Sequence, residues 1–330
     1  MEAVRVFRTR GMLAQLCHNA RCFRLLSTLT AGNKRQKLQD SMTRPRVGFF
    51  YKTVMICKAH LNTASSTLDS SEIKKFQALA NKWWDQHGEF AALHSMNDLR
   101  VPFVRDNLLN LNGGRKSGFP LSGYKILDVG CGGGVLSEPL ARLGACITGI
   151  DPVEDSIKTA QLHQSFDPFL DKHIHYKACA LEDITEEAME TFDGVVASEV
   201  VEHVSNVESF IKCCHKILKP EASLFITTIN KTKLSYVFGI LVAENMLKLL
   251  PKGTHEWEKF ISPVELERIM ESNGFSVKSI KGMLYNPISG LWSWIDSTAI
   301  NYAIHAVKEK VPPEPDYCRS EDKDQPEDRT

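Results

Sequence analysis

A run of ten residues, Lys125–Gly134, constrains the fold more than any other part of the chain. It places an apolar strand, KILDV, directly before a glycine-rich turn, and a helical pattern follows over Val135–Leu143. A second apolar strand, Ala145–Ile150, leads into Asp151, about 20 residues after the first glycine, the spacing at which an acidic residue meets a ribose hydroxyl in doubly wound sheets. The pattern therefore predicts an α/β sheet that binds a nucleoside-containing cofactor.

The order of the glycines distinguishes two kinds of cofactor. A dinucleotide site requires G-x-G-x-x-G, but Val135 occupies the third position, and the glycines run as Gly130, Gly132 and Gly134 with Asp128 upstream. A carboxylate at a strand tip suits an ammonium group better than a phosphate. S-adenosylmethionine carries an amino acid, a sulfonium and a ribose but no phosphate, and D-x-G-x-G-x-G resembles motif I of the methyltransferases that use it. The alternative is a glycine turn without a ligand. The residues predicted here to bind the cofactor are Asp128, Gly130, Gly132 and Asp151.

The size and composition of the chain exclude several classes of protein. Its 330 residues suffice for one large domain with extensions. The 40 basic and 40 acidic residues balance, so no basic footprint for nucleic acid is present. The nine cysteines show no C-x-x-C spacing, which indicates neither a zinc framework nor a disulfide scaffold. No segment has the roughly 20 continuous apolar residues of a membrane-spanning helix.

Charge is distributed unevenly along the chain. Between Ala3 and Gln39 there is no Asp or Glu, while Arg and Lys are frequent and hydroxyl residues lie among Leu and Phe. This composition is typical of a mitochondrial transit peptide, and a disordered basic arm is the alternative. We assign residues 1–65 to a transit peptide and disordered linker, 66–310 to the methyltransferase domain, and 311–330 to a disordered acidic tail.

Strand patterns alternate with helical patterns from Tyr124 onward, which predicts a parallel sheet with helices on both faces. We therefore expect a doubly wound, seven-stranded, mostly parallel sheet, a Rossmann-like methyltransferase fold, with an N-terminal helical extension and an antiparallel pair at the sheet edge. The predicted strands are Tyr124–Val129, Ala145–Ile150, Ile174–Ala178, Gly194–Ala197, Ser223–Ile229, Phe275–Lys281 and Asn301–Val307. The other predicted helices are Ser70–Asp85, Val101–Leu111, Val153–His163, Val207–Leu218 and Pro263–Ser272.

The fourth strand ends in a cluster of ionisable residues. If a helix begins there, Glu199, Glu202 and His203 lie at i, i+3 and i+4 on one face. Ligands bind beyond the carboxyl ends of such strands, so this cluster would border the cofactor, with Glu182 near its adenine edge. Three interpretations stay open: a divalent cation such as Mg²⁺ held by all three residues, His203 acting alone as a general base, or a helix start with acids favoured at its N-terminus.

A metal ion would have a chemical use at this position. A phenol loses its proton only near pKa ~10, so a phenolic oxygen is a poor nucleophile at neutral pH. A cation chelated by two adjacent hydroxyls would lower that pKa and orient the oxygen, as metals do for bound water. The methyl acceptor predicted by this chemistry is a catechol, and the transfer itself needs mainly an in-line approach. Glu199, Glu202 and His203 are then both catalytic residues and metal ligands.

These residues and their flanking segments resemble the ubiquinone-biosynthesis O-methyltransferase family. The matching segments are His94–Phe103, Leu127–Gly134, Glu199–Val204, Thr227–Thr232 and Pro251–Phe260. The resemblance implies methylation of a catechol oxygen on polyprenylated intermediates, polyprenyl-dihydroxybenzoate and demethylubiquinol, within a multi-protein biosynthetic complex. A methyltransferase-fold scaffold without catalysis is the alternative. The resemblance implies cofactor contacts by Arg100, Gly130, Asp151 and Ser198, and Mg²⁺ at Glu199, Glu202 and His203.

A prenylated substrate resides in a bilayer, and the apolar segment Leu234–Leu250 is a candidate for contact with that bilayer. The segment is broken by Glu244 and Lys248. An interfacial amphipathic helix, a lid over the active site and a buried core helix are three alternatives. We expect a peripheral protein on the matrix side of the inner mitochondrial membrane.

Overall fold

The computed structural model describes residues 70–112, 118–232, 235 and 259–310. The chain divides into two units after Asn62, and every described residue belongs to the second. The predicted transit peptide, the segment Leu234–Leu250 except Ser235, and the predicted tail all lie outside the described residues. The domain boundaries at 65 and 310 therefore stay predictions.

Eight strands and eight α-helices make up the described part of the chain. The strands are β1 Lys125–Val129, β2 Cys146–Asp151, β3 Ile174–Ala178, β4 Phe192–Ser198, β5 Leu218–Ile229, β6 Phe275–Asn286, β7 Leu291–Ile295 and β8 Asn301–Lys308. The helices are α1 Ser70–Leu79, α2 Ala91–Asn112, α3 Ser137–Arg142, α4 Glu154–Gln164, α5 Pro168–Asp171, α6 Leu181–Thr185, α7 Val207–Ile217 and α8 Pro263–Ser272. Two short 3₁₀ turns are Ala80–Lys82 and Val201–His203.

All eight strands belong to one sheet, in the order β3-β2-β1-β4-β5-β8-β6-β7. Strands β1 to β5 are mutually parallel, whereas β8, β6 and β7 pair antiparallel. The strand order reverses between β1 and β4, so the crevice at this topological switch point lies beyond their carboxyl ends. Asp128 pairs in register with Val196, two residues before the end of β4. The two motifs found in the sequence therefore meet at one edge of the sheet.

Alternate strand residues pack into two separate hydrophobic cores, one on each face of the sheet. On one face Leu127 and Ile226 pack with the apolar side of α7, where Phe210, Ile211 and Cys214 are buried. On the other face the core is made by residues of α2, α3 and α4 with strand residues such as Ile126, Ile147 and Phe225. Helices α7 and α8 begin at side-chain caps, Asn206 and Ser262, which accept backbone N–H bonds.

The predicted fold class is confirmed, and most predicted strands begin or end within two residues of the observed ones. The sheet has one strand more than the seven expected, because Leu291–Ile295 forms β7 as the second arm of a hairpin with β6. The N-terminal extension is confirmed but is divided: α1 ends at Leu79, and α2 begins ten residues before the predicted Val101. None of the helices in the described ranges is both long enough and apolar enough to span a membrane.

Candidate active site

The loop after β1 turns so tightly that only glycine fits at several positions. Gly130, Gly132 and Gly134 have φ of +67°, +53° and +84°, values that residues with side chains rarely adopt. A Cβ atom on Gly130 would lie 2.6 Å from the Val200 side chain, and one on Gly132 would overlap the ring of Trp83. The glycines thus allow the loop to pass between β4 and the N-terminal extension.

Two buried carboxylates flank this loop. Asp128 accepts a hydrogen bond of 2.5 Å from the Ser137 hydroxyl at the start of α3. Asp151 at the end of β2 accepts from the backbone N–H of Gly132 at 3.0 Å and of Val153 at 2.8 Å. Asp151 therefore holds the glycine loop in place while its carboxylate borders the cavity.

Burial controls the protonation of both carboxyl groups. It raises the pKa of Asp128 to about 6, against the opposing effects of the Ser137 hydrogen bond and the Arg100 charge. It likewise raises the pKa of Asp151 to about 6, although two backbone hydrogen bonds oppose the shift. A ligand that brings a positive charge or hydroxyl donors would stabilise the ionised form of both groups, because it would replace the hydration that burial removes.

Arg100 from α2 is the buried cation of the site, with 5% of its surface exposed. It donates to the Ser198 hydroxyl at 2.8 Å, to the Leu93 carbonyl at 2.7 Å and to the Asn97 side chain at 2.6 Å. Burial lowers its pKa to about 10, which the charges of Glu199 and Asp128 oppose, so the guanidinium stays charged at neutral pH. Its Nε atom is buried without a hydrogen-bonding partner in the described chain.

The α-helix considered at Glu199 is not formed. Glu199 adopts a left-handed backbone with φ of +57°, and a single 3₁₀ turn covers Val201–His203. The i, i+3, i+4 argument therefore does not apply, and the left-handed residue turns the chain sharply at the end of β4. All three predicted residues nevertheless line one cavity.

Hydroxyl groups at the end of β5 hold the two carboxylates. Thr227 donates to Glu199 at 2.8 Å and lies 2.6 Å from the Ser198 hydroxyl. Thr228 donates to Glu202 at 2.8 Å. Burial, and then repulsion by Glu202, raise the pKa of Glu199 to about 7, which the Thr227 hydrogen bond opposes. The two carboxylates are therefore close enough to influence each other.

The predicted three-ligand metal set does not assemble. Within the part of the chain that the structure describes, no three His, Cys, Asp or Glu side chains are grouped so that they could hold a metal ion. The ring of His203 packs edge-on against Phe76 from α1, with 5.1 Å between the ring centres. Glu199 and Glu202 have suitable oxygen donors for a hard cation, but the arrangement with His203 does not fit a complete site.

The predicted residues border a cavity of about 420 Å³ at the switch point. Gly132 is the exception, because Trp83 covers it and its N–H is directed to Asp151. Most of the remaining lining is apolar, and the N-terminal extension contributes a cluster of large apolar side chains to it: Ile73, Phe76, Leu79, Trp83, Phe90 and Leu93. The predicted site residues that border the cavity are Arg100, Asp128, Gly130, Asp151, Glu182, Ser198, Glu199, Glu202 and His203.

Comparisons with known proteins identify relatives of this chain. The chain matches the methyltransferase domain family over residues 96–280, more than half of its length. It is 61% identical over 254 residues to the mitochondrial ubiquinone biosynthesis O-methyltransferase of Homo sapiens, covering 77% of this chain and 69% of the relative. It is 41% identical over 245 residues to the ubiquinone biosynthesis O-methyltransferase of Rhizobium leguminosarum, covering 74% and 95%. The chain belongs to the ubiquinone biosynthesis O-methyltransferase family.

A solved structure of magnesium protoporphyrin IX methyltransferase from Synechocystis, with bound SAH, is similar at 19% identity and a TM-score of 0.48. It covers 73% of this chain and 100% of that one. As a methyltransferase of this family, the chain uses S-adenosylmethionine as methyl donor. The polar groups of the cavity fit that molecule. The buried carboxylates of Asp128 and Asp151 suit an ammonium group and ribose hydroxyls, and the buried guanidinium of Arg100 suits a carboxylate.

The sequence reasoning missed the aromatic cover of the cofactor loop. Trp83 stacks on Phe90 with 3.9 Å between ring centres and donates its indole N–H to Ser156 at 3.1 Å. Trp84 donates to the Gly133 carbonyl at 2.9 Å and stacks on His163 with ring centres 3.4 Å apart. The two tryptophans are adjacent in the sequence, but the helical spacing of apolar residues over Ser70–Asp85 places only Trp83 on the buried face of the helix.

Glu182 and Asp183, adjacent on α6, have different surroundings. Glu182 borders the cavity, as predicted for a residue near the adenine edge. Asp183 instead accepts the Ala180 N–H at 2.9 Å and caps the helix. A smaller cavity of about 290 Å³ shares His203 and Lys259 with the first, and it adds Lys231 and Glu265 to the lining. The two cavities therefore adjoin at His203, and the smaller one is the more polar.

Proposed function

We propose that this protein transfers a methyl group from S-adenosylmethionine to a catechol oxygen of a polyprenylated ring, polyprenyl-dihydroxybenzoate or demethylubiquinol, in ubiquinone biosynthesis. The names of its relatives support the pathway. The observation that carries the proposal is that cofactor-type residues and the Glu199, Glu202 and His203 cluster border a single cavity. A methyl donor and a hydroxyl acceptor can therefore meet there.

In the cofactor half of the cavity, five side chains are assigned to parts of the methyl donor. Asp128 pairs with the ammonium group, and Arg100 with Ser198 binds the carboxylate of the methionine moiety. Asp151 accepts hydrogen bonds from the ribose hydroxyls through lone pairs that its two backbone donors leave free. Glu182 lies towards the adenine, and Gly130 lets the backbone approach the ligand.

The acceptor half lies around Glu199, Glu202 and His203. His203 takes the proton from the attacking hydroxyl as a general base, and the carboxylates orient the neighbouring hydroxyl. The apolar lining from Phe76, Leu79 and Phe260 excludes water and suits a prenylated ring. S-adenosylmethionine supplies the methyl group, so the protein contributes mainly proximity and alignment.

The test is methyl transfer from labelled S-adenosylmethionine to a short-chain prenyl dihydroxybenzoate. His203→Ala should lower kcat by a factor of about 10² to 10⁴, the usual worth of a general base. Glu208→Ala is the matched control, since Glu208 is exposed, lies five residues away and pairs only with Lys212 among the described side chains. Equal rates in the His203 and Glu208 variants would refute the role of His203.

A divalent cation such as Mg²⁺ held by the carboxylates of Glu199 and Glu202, with His203 beside it as the base, is the finer form of this proposal. Its support is the mutual repulsion of the two buried carboxylates, which a cation would relieve. Calorimetric titration of the cofactor-loaded protein with Mg²⁺ should show binding that Glu199→Ala and Glu202→Ala abolish. Activity indifferent to EDTA, together with no heat of binding, would leave His203 as the base alone.

We further propose that the protein is mitochondrial, peripheral on the matrix side of the inner membrane, and part of a multi-protein complex. The support is the acid-free, Arg-rich N-terminal composition and the mitochondrial relatives. Alkaline carbonate should release the protein from isolated inner membranes, and native electrophoresis should show it in a particle larger than 37.1 kDa. Retention after carbonate extraction would contradict a peripheral attachment.

A further inference from the structure

The hairpin of β6 and β7 presents apolar side chains to solvent at its tip. Ile288 is 96% exposed, the highest value among the exposed large hydrophobic residues in the described ranges, and Leu291 is 54% exposed. Asn286 fixes the turn by accepting the N–H groups of Ile288 at 2.9 Å and Ser289 at 3.3 Å. The tip is therefore a built turn that directs these side chains outward.

The register of the strands places this tip at the edge of the sheet that carries the cavity. Ile229, which lines the cavity, pairs with Asn301 of β8, and Asn301 pairs with Met283 of β6. Strand β6 then continues for three residues to Asn286, so the tip stands about 10 Å beyond this level. It lies two strands from β5, again about 10 Å across the sheet.

The charge pattern of the hairpin matches a lipid interface. No charged residue occurs between Lys281 and Asp296, and the nearest cation, Lys281, lies over the ring of Trp294 at 5.6 Å. Trp292 turns inward and donates to the Ala92 carbonyl at 2.9 Å, which anchors the hairpin to α2. Ile288 and Leu291 are the large apolar side chains that the tip exposes to solvent.

We propose that the tip of this hairpin, residues 287–291, inserts into the interfacial layer of a lipid bilayer beside the active-site cavity. The inference rests on the proposed function, because a polyprenylated substrate is what brings the enzyme to a bilayer. Two aliphatic side chains are too few for a stable protein interface, which needs about 800 Å² from each partner. They are enough to contribute to interfacial binding, which scales with buried apolar area.

Flotation of the full chain with phosphatidylcholine vesicles tests the proposal. Zwitterionic vesicles minimise the contribution of the basic N-terminal residues. The double variant Ile288→Asp with Leu291→Asp should lower the vesicle-bound to free ratio at least about tenfold. Phe166→Asp is the matched control, since Phe166 is 75% exposed and lies between α4 and α5, just before β3, which is at the other end of the strand order from β7.

Two further measurements make the outcomes distinct. The double variant should keep full activity on a water-soluble catechol and lose it on a long-chain substrate embedded in vesicles. The tryptophan fluorescence added by Ile288→Trp should be quenched by brominated lipids, whereas the fluorescence added by Phe166→Trp should not. Unchanged flotation of the double variant, or a change only in its oligomeric mass, would overturn the membrane role. Absence of transfer to any catechol by the unaltered protein would refute the proposed function instead, and flotation would still decide the role of the hairpin.

Discussion

At the scale of single residues, a chain of hydroxyl groups connects the cation of the site to its carboxylate. Thr227 donates to Glu199, so its oxygen must accept from Ser198, whose own oxygen accepts from Arg100. All three hydrogen bonds thus point from the guanidinium towards the carboxylate. Thr227 is therefore a positioning residue, because it fixes the carboxylate without reaching the reacting atoms.

Thr227→Val should lower kcat by a factor of about 10 to 10², since a buried carboxylate loses a hydrogen bond worth roughly 1.5–3 kcal/mol. Thr227→Ser keeps the hydroxyl and should restore most of the rate. Steady-state kinetics at saturating cofactor would measure both variants. A serine variant as slow as the valine variant would show that packing by the methyl group, rather than the hydroxyl, is what matters.

The two buried aspartates make cofactor binding depend on pH. Folding raises the pKa of Asp128 and Asp151 to about 6, above the unfolded value near 3.9. Between these values the folded protein binds more protons than the unfolded one, so stability without cofactor falls as pH rises from about 4 to 6. In the proposed function the ammonium group of the cofactor pairs with ionised Asp128, and we therefore predict that cofactor affinity falls as pH drops below about 6.

Titration calorimetry with S-adenosylhomocysteine from pH 5 to 8 would measure this dependence. We expect up to about tenfold weaker binding per pH unit below 6 for each carboxyl that must ionise. Asp128→Asn should weaken binding at pH 8 and flatten the curve. A variant that retains the full pH dependence would assign it to Asp151 alone.

At the scale of elements, the N-terminal extension closes the cofactor side of the cavity. Trp83 is 7% exposed and covers Gly132 and Gly133, whose missing side chains leave room for its ring. The extension therefore packs against the glycines of the loop that follows β1. In this protein the glycine-rich motif therefore serves packing against the aromatic cover as well as turning of the backbone.

Trp83→Ala should destabilise the protein by about 3–5 kcal/mol, as other buried Trp truncations do. It should also weaken cofactor binding, because the loop loses its cover. Leu162→Ala, at a residue 61% exposed on the neighbouring α4, is the control and should change neither quantity. Thermal unfolding with and without cofactor would measure both effects, and an unchanged cofactor-induced shift in Trp83→Ala would contradict the cover role.

Sequence patterns predicted some elements better than others, for physical reasons. Buried parallel strands are mostly apolar runs, so β1, β2, β4 and the second half of β5 were recognisable, and ligand residues at their tips followed from the topology. Strand β3, which ends the strand order, was recognisable from its alternation of buried and exposed residues instead. Strand β7 was missed because Leu291–Ile295 is half-exposed and short. The turn at Glu199 was missed because a left-handed residue has no periodic signature. Trp84 was missed because its partners, Gly133 and His163, are 49 and 79 positions away in the chain.

At the scale of the whole molecule, the described residues form an α/β sheet with a large hydrophobic core on each face and a smaller cluster around Trp83. We predict that a chain running from Ser66 to Lys310 folds and methylates a water-soluble catechol as fast as the full chain. The midpoint of thermal unfolding should agree within a few degrees. A loss of cofactor binding in the shortened chain would show that residues outside 66–310 belong to the catalytic unit.

The left-handed backbone of Glu199 lowers the stability of the whole molecule, while its carboxylate serves the proposed reaction. That conformation costs a residue with a side chain about 1 kcal/mol, and glycine avoids the cost. Glu199→Gly should therefore raise the unfolding midpoint while abolishing methyl transfer. Glu221→Gly, at an exposed position with φ of +64°, should stabilise without changing the rate. In a library selected for heat resistance alone, position 199 would drift to glycine, so only continued demand for the product keeps a glutamate there.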